Sequence, residues 1–251
     1  MCQRLPERET PIVSDAAPEL FTHLGWLAKG EQWFTDRVGL LDDAVLGRPS
    51  RLPGWTRAHV IAHVARNADA LTNLVSWART GVETPMYAQP GVRERDIASG
   101  AMQEPSILRK DLAQAQQRLL TALQAMPAEN WDRRVRSARG RDLPATQIPW
   151  LRVREVWIHS LDLDPELRAD SFPPPLVDTL ISDVAHTLSV HPDVPGVVLA
   201  PTDRARSWRL GQRADQRAPI VRAPADELLA WIIGRAGQPP SGPAVVLPSW
   251  L

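Results

Sequence analysis

Over the first two thirds of the chain, apolar residues recur every three to four positions, the spacing that lines one face of a helix. Leu20, Leu24 and Leu27 begin such a face, and Trp33, Phe34, Val38 and Leu41 continue it past Gly30, predicting a long first helix, whole or broken at that glycine. Val60, Val64, Leu71, Leu74 and Val75 predict a second, with Thr56 as its N-cap after Gly54-Trp55 and its end near Gly81. A third, carrying Leu108, Leu112, Leu119, Leu120 and Leu123, opens at Pro105 and stops before Pro127. The fourth runs from about Thr146 to Leu163.

Near residue 165 the pattern changes. One further helix, Leu176 to Val190, is followed by short β-like runs, Gly196 to Leu199 and Ala244 to Leu247, set among turns rich in proline, glycine and arginine. Between them DELLAWIIGR, Asp226 to Arg235, reads as a helix with acidic residues at its start and arginine in its last turn. The expected fold is α+β: an N-terminal four-helix bundle over residues 1–165 and a smaller C-terminal α/β domain over residues 166–251.

Composition narrows the function. Lysine plus arginine and aspartate plus glutamate each total 29, so no basic field draws the chain to nucleic acid or to an anionic membrane. The positive side is nearly all arginine, with lysine only at Lys29 and Lys110. At 43% hydrophobic residues the chain can bury a sizeable core, yet no apolar run reaches membrane-spanning length. MCQRLPERETPIVSD lacks the apolar stretch of a secretory signal, so the expected location is the cytoplasm. A monomer is the default expectation and is drawn from no feature of the sequence. The only cysteine is Cys2, which excludes an internal disulfide and a thiolate-rich zinc site. Any metal must therefore use nitrogen and oxygen ligands.

Such ligands occur in REVWIHSLDL, where Glu155 and His159 stand four residues apart and share one side of a helix. WTRAHVIAHVARN on the second helix offers His59 and His63 at the same spacing, with Asn67 a turn later. Either histidine would complete two imidazoles and a carboxylate, a set that suits zinc and leaves one position open for chemistry. The pattern is not the HExxH of metalloproteases, and by itself EVWIH is equally a helix with a surface ion pair. Asp162, three residues past His159, is either a carboxylate that orients the imidazole or a surface acid. Trp77 and Trp157 read as core, and His186 and His191 as surface residues or partners of a helix end.

GWTRAHVIAHVARNADAL, TGVETPMY with the following AQPGVRERDIASG, REVWIHSLDL and the trailing WL together resemble the mycothiol-dependent maleylpyruvate isomerases, of the DinB-like metalloenzyme superfamily. The resemblance spans nearly the whole chain and is looser in the C-terminal half, chiefly at IIGRAG. It implies a zinc site, or one for another divalent cation, built from His63, Glu155 and His159, with His59 a neighbour. It implies functional arginines at Arg93, on the loop after the second helix, and at Arg235. Without the resemblance, Arg93 is one of a solvated cluster with Glu94, Arg95 and Asp96, and Arg235 a helix-dipole partner.

The implied reaction turns maleylpyruvate, a dianionic diketo acid with a cis double bond, into fumarylpyruvate during gentisate-type aromatic degradation. A thiolate adds to the conjugated alkene, the resulting single bond rotates, and expulsion of sulfur restores a trans alkene. Cys2 is remote, so an external thiol, mycothiol in this family, is the expected partner. A divalent metal would hold it deprotonated, or would instead polarise the substrate carbonyl. Transfer of the thiol to another electrophile and a purely binding role are the alternatives.

Overall fold

Thr56 stands in an extended conformation, and its hydroxyl accepts from the His59 N–H, which starts the helix where the sequence predicts. The computed structural model describes residues 16–211, 218–242 and 244–248; Cys2 and the final Trp250-Leu251 lie outside them. The helix so opened, α3 (Arg57–Thr80), ends at Gly81, whose φ of 76° only glycine adopts without strain. It is the central rod of the bundle, in contact with α4 (Val92–Ala101), α5 (Pro105–Gln124) and α6 (Ile148–Leu163), while α1 (Ala16–Gly39) lies along α6. A single-turn α2 (Asp43–Leu46) links α1 to α3.

α1 is unbroken through Gly30. The glycine serves packing instead: a Cβ there would sit 2.5 Å from Trp157 Nε1 and 2.6 Å from Val156 Cγ2, so its absence lets α1 and α6 close up. The fourth helix begins later than predicted. Ala145–Gln147 form a 3₁₀ turn, and Pro149 falls in the first turn of α6, where a missing N–H costs nothing.

The segment read as a loop after the second helix contains a helix. Gly91, with φ 78°, precedes α4, which buries Ile97 and brings Gly100 within 3.0 Å of Ala62 on α3, measured from the Cβ a larger residue would carry. Arg93 is thus on the first turn of α4, not on a loop. Between α5 and α6 the chain makes an unforeseen antiparallel hairpin, β1 (Arg134–Arg136) with β2 (Asp142–Pro144), in the register Val135↔Leu143.

After α6 the chain turns to α7 (Pro174–Ser189), and the division proposed at residue 165 falls in that turn. Beyond it β3 (Val197–Leu199) pairs antiparallel with β4 (Trp208–Leu210) and parallel with β5 (Ile220–Val221). α7 packs on β4 and on α8 (Ala225–Ile232). The run expected as a strand at Ala244–Leu247 pairs with nothing among the described residues; its Val245 and Leu247 rest on the core instead. The helix expected to reach Arg235 ends earlier, because Gly234 turns the chain with φ 75°. Buried apolar side chains run without interruption from the bundle into the C-terminal part; Trp157, for example, meets Phe172 edge-on with ring centres 5.1 Å apart. No helix among the described residues is long and apolar enough to cross a membrane.

Candidate metal centre

Helical spacing puts His59, His63 and Asn67 on one side of α3, and Glu155 and His159 on one side of α6. His59 is occupied at the helix start, its Nδ1 2.7 Å from Thr56 Oγ1. His63 is the histidine that meets α6: its Nε2 lies 2.9 Å from Glu155 Oε2 and 3.1 Å from His159 Nε2. His159 Nε2 lies 3.3 Å from the same Glu155 oxygen. The two imidazoles stand nearly perpendicular, with ring planes at 87°, and both are buried.

Three donor atoms so placed fit one cation. Ligands about 2.0–2.1 Å from a tetrahedral ion lie about 3.3 Å from one another, close to the separations seen. Two imidazoles and a carboxylate are also the donor types such an ion accepts.

Behind the trio stands a second layer. Asp162 Oδ2 is 2.8 Å from His159 Nδ1, and Arg235 closes on the same carboxylate with Nε to Oδ1 at 2.9 Å and Nη2 to Oδ2 at 2.7 Å. Of the two sequence alternatives for Asp162, the buried one holds: it is 1% exposed. A carboxylate can only accept, so Nδ1 of His159 keeps its proton and Nε2 turns a lone pair to the trio. Arg235 also donates to the Ile233 carbonyl at 2.7 Å, so the structure engages its guanidinium with Asp162 and its own chain at the edge of the site.

On the other flank Arg93 Nη2 lies 3.3 Å from His63 Nδ1, and its guanidinium carbon 6.0 Å from the Trp55 ring centre. Trp55 meets His63 edge-on at 5.4 Å. The exposed Glu94 takes the remaining arm of Arg93 at 3.3 Å, a remnant of the charge cluster read from sequence.

Burial and neighbours set the charges. Burial pushes Glu155 up, but its bonds to His159 and His63 outweigh that and hold it well below its ordinary 4.5. Burial lowers His63, and its contact with Glu155 does not restore it. Burial would lower His159 too, yet Asp162 and Glu155 carry it above its ordinary value. Asp162 is held down by His159 and Arg235 against its burial.

The trio opens on a cavity of about 1180 Å³ between the bundle and the chain that follows α8. Its wall includes Tyr87, Asn67, Leu151, the hairpin loop at Ser137 and Ala138, and Trp231. The only tyrosine, Tyr87, is pushed up by burial and keeps its proton. Among these, Asn67 had a sequence signal in its place one turn past His63, and Tyr87 ends the TGVETPMY stretch of the resemblance. His186 lies at the cavity rim rather than among the donors, and His191 does not line it.

A family model described as the mycothiol maleylpyruvate isomerase N-terminal domain matches residues 27–164. Among solved structures, the crystal structure of the mycothiol-dependent maleylpyruvate isomerase aligns with a TM-score of 0.84 at 32% identity, covering 92% of this chain and 95% of that one. A histidine-to-alanine mutant of that enzyme aligns with the same TM-score and coverage at 31% identity. No curated protein matches significantly.

Proposed function

Because the chain belongs to the mycothiol maleylpyruvate isomerase family, we propose that it converts maleylpyruvate to fumarylpyruvate with a low-molecular-weight thiol, mycothiol in the first instance. The observation that carries the reading is the convergence of His63, Glu155 and His159 on one point at the end of a roomy cavity. These three would hold zinc or another divalent cation. Such a cation keeps a bound thiol anionic near neutral pH, and a thiolate adds reversibly to a conjugated double bond, which frees that bond to turn.

The chain supplies the rest. Asp162 fixes the His159 tautomer, and Arg235 keeps Asp162 charged and in place. Arg93, beside the trio, offers a planar fork that would orient a substrate carboxylate. Leu151, Trp231 and Trp55 give the cavity apolar wall, against which a bound substrate would displace water and so strengthen these charge interactions. We assign the protein to the cytoplasm, with a small dianion and a thiol as its partners.

The test is spectroscopic: zinc-loaded protein receives maleylpyruvate with and without mycothiol, and fumarylpyruvate formation is followed. Turnover that requires the thiol supports the reading. Absence of any thiol-stimulated product removes it, and accumulation of a stable thioether would reassign the protein as a mycothiol S-transferase.

A further inference from the structure

One helical turn beyond His63, α3 presents another polar side chain to the cavity. Asn67 is 4% exposed and lines the same wall as the trio. Its Oδ1 accepts a hydrogen bond of 2.9 Å from Arg152 Nη1. Arg152 is fully buried and immobilised by others: Glu31 accepts from Nε at 2.7 Å and from Nη2 at 3.2 Å, and the Val64 carbonyl accepts from Nη1 at 2.6 Å.

A guanidinium has donors only, so the amide cannot turn over without setting N–H against N–H. Its nitrogen is therefore the atom that Asn67 turns toward the cavity, and among the described residues it donates to nothing. A partly buried ion pair between α1 and α6 thus aims one neutral donor of α3 at whatever fills the space beside the trio.

We infer that Asn67 is a catalytic donor, which binds the ketone oxygen of an anionic keto acid and binds it more strongly as negative charge grows there. The inference rests on the proposed isomerase reading. When the thiol's sulfur pair forms a carbon–sulfur bond, the π pair of the alkene moves onto the conjugated ketone oxygen; on reversal that pair returns and the carbon–sulfur bond breaks. No proton is needed in either direction. An amide suits this step because it stabilises the oxyanion by hydrogen bonding yet is too weak an acid to protonate it. A stronger acid at this place would protonate the oxyanion to an enol, whose keto tautomer is a saturated thioether that no longer expels sulfur readily.

Asn67→Asp tests the role, since it keeps an acceptor for Arg152 while exchanging the cavity-facing donor for an acceptor. The expected result is a fall in kcat of about a hundredfold, with bound metal and thermal midpoint retained. A kcat within about threefold of the parent overturns the inference. A second measurement is independent of turnover. In ¹⁵N-labelled, zinc-loaded protein the Asn67 side-chain NH₂ signals, identified by their loss in Asn67→Asp or Asn67→Ser, are followed during titration with oxaloacetate. They are expected to shift, and signals that stay in place overturn the inference whatever the kinetics show. A shift in a protein that fails to isomerise maleylpyruvate leaves Asn67 as a keto-acid donor and removes only the proposed reaction.

Discussion

Asp162 Oδ2 lies 2.8 Å from His159 Nδ1, on the opposite edge of the ring from the nitrogen that faces Glu155 and His63. The carboxylate thereby decides which nitrogen of His159 carries a proton and how firmly it is held.

Asp162→Asn is expected to weaken zinc binding about 10- to 100-fold at pH 8, the usual effect of removing a carboxylate behind a metal-bound imidazole. It also moves the pH dependence. In the parent, His159 is raised above its ordinary 6.5, so protons compete with the metal from a pH above that value downward. Without the carboxylate the imidazole is easier to deprotonate, and the onset of proton competition shifts to lower pH. Zinc titrations across pH 5 to 8 read both effects; an unchanged onset would detach Asp162 from His159.

Arg93 and a metal require opposite tautomers of His63. Arginine only donates, so the contact at 3.3 Å needs a lone pair on Nδ1, whereas a cation on Nε2 needs the proton there. Metal loading is therefore expected to release Arg93 into the cavity, where it meets substrate. Arg93→Ala should bind zinc at least as tightly as the parent, because a competitor and a nearby positive charge are gone. Its kcat/KM should nevertheless fall about a hundredfold. Isothermal titration and steady-state kinetics on one preparation check the split.

Two glycines of α1 should answer the same substitution with opposite sign. Gly25 has open space where a Cβ would stand, so Gly25→Ala should stabilise by about 0.5–1 kcal/mol through helix propensity alone. At Gly30 the added carbon would press on Trp157 Nε1, which donates to the Trp26 carbonyl at 3.0 Å. Gly30→Ala should instead cost about 1–3 kcal/mol net, because α6 must shift. Urea unfolding of the pair measures the difference, and stabilisation at both positions would contradict the packing of α1 on α6.

Much of this was readable from side-chain order. Thr56, Gly81 and Pro105 mark helix limits by chemistry confined to a few residues, and the structure puts them where that chemistry predicts. His63, Glu155 and His159 were readable as far as spacing goes, since each pair of faces follows from helix geometry. What spacing could not do was choose between His59 and His63; that choice depends on how α3 and α6 are rotated against each other, which is a property of packing. α4 was missed because VRERDIASGA has one buried apolar residue, Ile97, and is held by its close approach to Ala62 rather than by an apolar stripe. The expected strand at Ala244–Leu247 failed for the converse reason: its apolar run has no strand beside it among the described residues, and Val245 and Leu247 lean on the core while Val246 stays exposed at the cavity. Asp162 was ambiguous because its meaning comes from Arg235, which is 73 positions away.

That distance along the chain bears on how the protein is made. During synthesis α3 and α6 leave the ribosome before residue 235 does, so the nascent bundle can collapse around its three donors while Asp162 still lacks its counter-charge. Only the arrival of Arg235, beyond the end of α8, gives that carboxylate its guanidinium partner, so the centre reaches its final electrostatic state only after residue 235 has been made.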